Sequence, residues 1–240
     1  MKTLVIIPTY NERENLPEIV AQVLEQSDSI NVLVVDDNSP DGSGVVADAL
    51  KVEHAGRVEV MHRAGKLGLG TAYIAGFKYG LTNDYEAICE MDADFSHDPA
   101  YLPRLLAALE GGADLALGSR YQRGGGTRNW TLPRKLISRF GSLYARLILG
   151  VPVNDLTGGF KAFKRTTLER LDLDRIKSNG YSFQIEMTYR VYKRGLKIVE
   201  VPIIFVDRRV GQSKMSRRIF MEAVVMVWKL RLGLVLGLPK

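Results

Sequence analysis

The stretch from Leu4 to Asp37, LVIIPTYNERENLPEIVAQVLEQSDSINVLVVDD, decides the fold. It opens on the aliphatic run Leu4–Ile7 and closes on a second one, Val32–Val35. Each run is apolar at consecutive positions, so both faces of the strand must be covered, which is the pattern of a parallel strand between two layers of helices. Between the runs, Leu16, Ile19, Val20, Val23 and Leu24 fall on one stripe of a helix. Strand, helix and strand thus make one crossover unit, and the pattern continues along the chain. Val58–Met61, Ala87–Met91 and Leu115–Leu117 read as further buried strands, and Leu102, Leu105, Leu106 and Leu109 as another helical stripe. The expected fold is α/β, a doubly wound and mostly parallel sheet. Such sheets take ligands at the carboxyl ends of their strands, so the chemistry belongs in the residues just after each apolar run.

The chain has 240 residues, 46% of them hydrophobic, enough for one sizeable core and not comfortably for two. Its single cysteine, Cys89, excludes an intramolecular disulfide and fits a reducing compartment. Met1 is followed at once by strand-like TLVIIP, so no signal peptide is expected and the protein should stay in the cytosol. The apolar runs Ala223–Trp228 and Leu232–Leu238 are broken by Lys229 and Arg231 and fall short of the roughly 20 residues that span a bilayer. The formal charge of +6 is concentrated in two places. Leu115–Asn154 holds seven basic residues and no acidic one, and Arg208–Lys240 holds eight basic residues and one acidic, leaving the rest of the chain net acidic. An anionic partner follows, whether phosphate, an anionic membrane or nucleic acid. Pro133–Leu149 sets Leu136, Phe140, Leu143 and Leu147 on one helical face and Lys135, Arg139 and Arg146 on another, and residues 217–238 have a similar character. Basic amphipathic helices of this kind lie on a membrane surface or pack on the protein's own core. Gln122–Asn129, with Gly124–Gly126 at its centre, reads as a mobile loop.

The strand ends carry the chemistry. Pro8-Thr9-Tyr10-Asn11-Glu12 follows the first strand and Asp36-Asp37-Asn38-Ser39-Pro40-Asp41-Gly42 the second. Carboxylates directly after buried strands are costly unless bonded, so Asp36 and Asp37 point to a polar ligand or a buried network. A carboxylate there can accept from ribose or from base N–H groups, and Tyr10 can pack on a base. The same residues are also good turn and helix-capping chemistry, with Asp41 as cap and Asp37 as ligand. The fourth strand runs into Met91-Asp92-Ala93-Asp94-Phe95-Ser96-His97-Asp98-Pro99. Two aspartates separated by one small residue can approach one divalent cation and its bridged diphosphate, and oxygen-only ligation suits Mg2+ or Mn2+. His97 is read as a backbone-bonding residue where the next helix begins, not as a ligand. Gly65-Lys66-Leu67-Gly68-Leu69-Gly70 matches neither common glycine-rich phosphate loop, and reads as a turn that brings a strand closely into the next helix. Gly118-Ser119-Arg120-Tyr121, Trp130, Arg134 and Asp207-Arg208-Arg209-Val210-Gly211-Gln212-Ser213-Lys214 complete the series. Guanidinium forks at separate strand ends suit convergent phosphate binding, and Arg120, Arg208 and Lys214 stand out.

With Thr157-Gly158-Gly159-Phe160, this ordered series resembles the family 2 glycosyltransferases, and within them the dolichol-phosphate mannose synthases, across nearly the whole chain. The resemblance implies a GT-A fold in a single domain over residues 1–240, with Mg2+ or Mn2+ as cofactor. The implied reaction is inverting transfer of mannose from GDP-mannose to a polyprenyl (dolichyl) phosphate. It implies that Pro8, Tyr10, Glu12, Val35 and Asp37 hold the nucleoside, and that Asp92, Ala93 and Asp94 meet the diphosphate. Asp92, Asp94 and Ser96 would be the metal set, although some relatives carry glutamine where this chain has Ser96. Arg208 and Lys214 would contact the donor, Arg120 and Arg134 the acceptor phosphate, and Asp94 and Arg120 would carry catalysis. Many relatives append transmembrane helices; this chain resembles the short, peripheral type, expected at the cytosolic face of a membrane, alone or with an anchoring partner. A phosphate monoester has a second pKa of about 6, so the acceptor is already a dianion and needs positioning more than a base. Asp155 and Glu186 either orient that acceptor or pair with nearby arginines. The nearest rival is a polyprenyl-phosphate glucosyltransferase using UDP-glucose. A nucleotidyltransferase would place a glycine-rich loop after the first strand. A nucleic-acid-binding module would explain the basic segments but not the acidic strand ends, so no nucleic acid partner is expected.

Overall fold

The computed structural model describes residues 1–207 and 217–233. In chain order the elements are β1 (Thr3–Thr9), α1 (Leu16–Leu24), β2 (Ile30–Asp36), α2 (Ser43–Glu53), β3 (Val58–His62), α3 (Leu69–Thr82), β4 (Ala87–Glu90), α4 (Leu102–Glu110) and β5 (Leu115–Ser119). There follow β6 (Gly126–Arg128), α5 (Leu132–Leu149), β7 (Lys161–Lys164), α6 (Arg165–Glu169), α7 (Gly180–Lys193), β8 (Ile198–Pro202), β9 (Ile204–Val206) and α8 (Arg217–Arg231).

Seven strands form the main sheet in the order β3-β2-β1-β4-β7-β5-β8. The five apolar runs of the sequence are its first five strands, and alternation along them fills two layers. Val5 and Ile7 of β1, with Val32 and Val34 of β2, pack among α1 and α4, while Leu4, Ile6, Leu33 and Val35 pack on the other face among α3 and α7. The sheet is not parallel throughout: β7 lies between β4 and β5 and runs antiparallel to both. Gln122–Asn129 is not wholly irregular either, because Gly126–Arg128 pairs in parallel with Ile204–Val206 as a separate two-stranded ribbon.

A third apolar cluster fixes α5 and α8 against α7, through residues such as Ala145, Leu149, Ile185, Tyr189, Val227 and Leu230. The helix α5 turns small Ser142 and Ala145 inward and leaves Leu136, Phe140, Leu143 and Leu147 exposed at 47, 64, 42 and 72%. Its apolar stripe is left largely uncovered, with Leu136 and Phe140 at the rim of a cavity beside α7 and α8, and contiguous exposed apolar patches of this kind mark interaction surfaces. No helix among the described residues is long and apolar enough to cross a membrane.

Candidate functional site

The strand ends β1, β2 and β4 meet in a cleft of about 350 Å³. Each of their loops contains one non-glycine residue in left-handed backbone: Asn11 at φ 62°, Asn38 at φ 56° and Phe95 at φ 60°. A bulky residue such as phenylalanine adopts this region only where its surroundings impose it. The first two loops are stapled together: Ser39 Oγ accepts from Asn11 N–H at 3.2 Å, Ser43 Oγ from Glu12 N–H at 2.9 Å and Asp41 Oδ2 from Arg13 N–H at 3.2 Å. Asp41 Oδ1 also accepts from Ser43 N–H at 2.9 Å where α2 begins, although the N-cap position itself is held by Gly42 and not, as expected, by Asp41. Asp36 turns back into its own loop and accepts from Ser39 Oγ at 2.6 Å.

Asp37 faces the cleft instead. Arg63 Nη1 stands 3.0 Å from its Oδ1, and Arg63 Nη2 donates to Thr71 Oγ1 at 2.6 Å. Burial raises the Asp37 pKa above the usual carboxylate value, and the Arg63 charge pulls against that rise. Lys66 Nζ sits 4.0 Å over the Tyr10 ring. Its loop reaches α3 through Gly68 at φ +103°, and a Cβ on Gly70 would lie 2.5 Å from the Ser178 carbonyl oxygen, so the glycines serve the close passage foreseen for them.

After β4, the Asp92 backbone N–H donates to His97 Nδ1 at 3.1 Å. Burial lowers the His97 pKa, and its ring stacks on Phe160 at 5.0 Å, so it shapes the loop as a neutral residue. Tyr73 Oη donates to Asp92 Oδ1 at 3.2 Å. Asp94 Oδ1 accepts from Ser96 N–H at 3.1 Å and from Ser96 Oγ at 2.5 Å, so the serine hydroxyl orients Asp94. Asp92 and Asp94 are the carboxylates here that could hold a divalent metal.

On the opposite wall Arg120 is locked to Asp155: Nε donates to Oδ2 at 2.7 Å, Nη2 to Oδ1 at 2.6 Å and the backbone N–H to Oδ2 at 3.0 Å. Burial alone would raise the Asp155 pKa, but the guanidinium holds it below the usual carboxylate range. Asp155 is thus the partner of Arg120, and Glu186 is the partner of buried Arg190 at 2.6 Å. The β6–β9 ribbon places Trp130 and Phe205 edge to face, with ring centres 5.3 Å apart. Arg134 stacks 4.3 Å over Trp130 and donates to Asp207 Oδ2 at 2.6 Å.

Pro8, Tyr10, Glu12, Asp37, Asp92, Ala93, Asp94, Ser96, Arg120 and Arg134 therefore line one cleft. Val35 does not line it and lies fully buried in the apolar layer beneath. Arg208 and Lys214 lie outside the described residues. Arg63, Lys66, Thr157, Tyr181, Gln184 and Phe205 belong to the site without having been singled out as its members. Thr157 stood within the Thr157–Phe160 motif and Arg63 directly follows a strand end; the others carried no signal of a place in the site.

Residues 4–172 match the family described as Glycosyl transferase family 2. Polyprenol monophosphomannose synthase from Mycolicibacterium smegmatis is 51% identical over 232 residues, 96% of this chain and 88% of its own length. Undecaprenyl-phosphate mannosyltransferase from Micrococcus luteus is 52% identical over 227 residues, 95% of this chain and 93% of its own. Among solved structures, glucosyl-3-phosphoglycerate synthase from Mycobacterium tuberculosis, in complex with Mn2+, UDP-glucose and phosphoglyceric acid, superimposes with a TM-score of 0.71. The match covers 100% of this chain and 81% of that one at 18% identity, a likeness of fold, the GT-A fold, alone. With both relatives similar along almost its full length, this chain belongs to glycosyl transferase family 2.

Proposed function

We propose that this chain transfers mannose from GDP-mannose, with inversion at the anomeric carbon, to the phosphate of a polyprenol. One observation carries the reading. The polar cleft abuts an apolar cavity of about 530 Å³ between α5, α7 and α8, and the two share Trp130, Arg134, Thr157 and Tyr181. The cavity is lined by Leu136, Ile137, Phe140, Tyr144, Ile185 and Val227 among others. A polar chamber joined through an arginine to an apolar one suits an acceptor with a phosphate head and a hydrocarbon tail. The names of both relatives, a polyprenol monophosphomannose synthase and an undecaprenyl-phosphate mannosyltransferase, support the same acceptor and sugar.

On this reading Tyr10 and Asp37 receive the nucleoside, Arg120 and Arg134 draw the acceptor phosphate against the sugar, and the aromatic wall of Trp130 and Phe205 keeps water out. No strong base is needed, because the acceptor is already ionised. The oxygen-only donors Asp92 and Asp94, both lining the cleft, fit Mg2+ or Mn2+; among the described residues no group of three or more His, Cys, Asp or Glu side chains gathers. Asp92 and Asp94 would leave the remaining positions to diphosphate and water, as such ions prefer. When bound, the ion would neutralise charge growing on the leaving diphosphate.

The exposed apolar stripe of α5, together with exposed Val225 and Trp228 of α8 and Leu232 just after it, would rest on the cytosolic face of a membrane, alone or with an anchoring partner. Exposed Lys135 and Arg139 on α5 would each contribute about 1 kcal/mol near anionic lipid. Anionic vesicles carrying polyprenyl phosphate test both ideas together. The protein should float with them, partly released by salt, and should use the embedded lipid far better than a water-soluble alkyl phosphate. Equal use of the two acceptors by protein that stays in solution would remove the apolar cavity from the acceptor site.

A further inference from the structure

The two halves of α5 are held in different ways. The C-terminal half is packed: Ser142, Ala145 and Leu149 are buried, Tyr144 Oη donates to the Val224 carbonyl at 3.3 Å, and Arg146 Nη1 donates to Asn154 Oδ1 at 2.7 Å. From Leu132 to Gly141, by contrast, every side chain is exposed or half-buried. Arg134 and Ser138 tie that half down through hydrogen bonds: Arg134 donates to Asp207 Oδ2 at 2.6 Å, and Tyr121 Oη donates to Ser138 Oγ at 2.7 Å. The same half borders the apolar cavity, which Leu136, Ile137 and Phe140 line from α5 and Ile185, Val224 and Val227 from α7 and α8.

Gly141 stands where the two halves meet, in the interior of an 18-residue helix. Glycine is a weak helix former, so its presence there asks for a reason. The glycines inside α3 have one: a Cβ on Gly76 would lie 2.7 Å from Ile6, and one on Gly80 would lie 2.6 Å from Ile88. A Cβ on Gly141 would meet nothing within 4 Å among the described residues. No neighbour among them requires the glycine, and its effect is to weaken the helix where packing ends. Ser142 follows it directly, and adjoining glycine and serine are one of the few places where helices kink sharply.

We propose that Gly141 is a pivot on which the Leu132–Phe140 half of α5 swings away from α7 and α8. Opening would admit a polyprenyl chain sideways into the apolar cavity, and closure would bring Arg134 to the acceptor phosphate. This rests on the lipid-acceptor reading of that cavity. The moving half carries exposed Leu136 and Phe140, so a chain lying in a lipid layer could pass into the cavity without crossing water. Arg134, Asp207, Tyr121 and Ser138 are all half-buried, so water can satisfy them while their hydrogen bonds are broken.

Gly141→Ala tests the pivot, since the added methyl meets open space. In the wild type the backbone N–H groups of residues 141–144 should exchange with deuterium faster than those of residues 146–149. Their helical acceptors, the carbonyls of residues 137–140, lie across the pivot. The substitution should slow that exchange about 5-fold and raise Tm by about 2–4 °C. It should lower kcat/KM for vesicle-borne polyprenyl phosphate by about 5-fold as well, with GDP affinity and transfer to a short water-soluble alkyl phosphate unchanged. Equal losses on the two phosphates, or unchanged transfer to the lipid, would overturn the proposal. So would a loss confined to the lipid with exchange unchanged, which would mean that the methyl merely narrows the cavity. Wild-type exchange as slow at residues 141–144 as at 146–149 would overturn it without any variant. If the wild type did not use polyprenyl phosphate at all, the lipid-acceptor reading would fall and the entry role with it, whereas a wild type that uses the lipid and a variant that matches it would sink the pivot alone.

Discussion

Asp94→Ala is expected to lower kcat/KM by about 1,000-fold or more while the chain stays folded. Asp94 lies in the loop whose Phe95 holds φ 60°, and its Oδ1 gathers the Ser96 N–H and hydroxyl. Truncation strands those two donors, which costs about 1–3 kcal/mol for each donor left without a partner. The same truncation removes one of the two carboxylates available to a cation that must offset charge on the leaving diphosphate, so the loss falls on the transition state more than on the fold. Chelation should reproduce the effect in the wild type, with Mg2+ or Mn2+ restoring turnover. Near-normal turnover in the variant, or activity indifferent to EDTA, would remove the metal role from Asp92 and Asp94 together.

Arg134→Ala is expected to lower kcat/KM for polyprenyl phosphate by about 100-fold, with GDP affinity unchanged. Arg134 stands at the junction of the two cavities, stacked on Trp130 and paired with Asp207, where an acceptor phosphate would lie. Arg134→Lys should rescue only in part, because an ammonium offers neither the planar stack nor the fork of donors. Arg120→Ala is a less clean test: it leaves Asp155 buried and unpaired, and breaking such a pair costs about 3–5 kcal/mol, so stability and transfer would fall together. Weakened GDP-mannose binding in Arg134→Ala, with no change in response to the lipid, would place that arginine on the donor.

Four of the strands and the cleft they open into were legible because β1, β2, β4 and β5 carry consecutive apolar residues, a pattern that few other structures tolerate; β3, Val58-Glu59-Val60-Met61-His62, alternates instead and is buried only at Val58, because it lies at the edge of the sheet. The strand β7 was not legible. Its residues, KAFK, begin and end with lysine, and its place between β4 and β5 depends on contacts that no local pattern encodes. The period of α5 was clear, but not which of its faces would meet the protein; the core took Ser142, Ala145 and Leu149 and left Leu136, Phe140, Leu143 and Leu147 exposed. Asp37 was visible as a strand-end carboxylate while its pairing with Arg63 was not, since that pairing joins the ends of two strands. Gln184 had no signal at all. Every residue from Ser182 to Val191 is buried, so α7 shows no polar face against which a functional side chain would stand out.

The central claim is that a nucleotide-activated mannose meets a lipid phosphate in this cleft. A transfer assay offering radiolabelled GDP-mannose, UDP-glucose and UDP-N-acetylglucosamine separately, each with polyprenyl phosphate, tests it most directly. Label should enter the organic phase from GDP-mannose, dependent on Mg2+ or Mn2+, as a β-linked mannosyl phosphate. Lipid-linked label from UDP-glucose instead, or no lipid-linked product from any of the three donors, would contradict it.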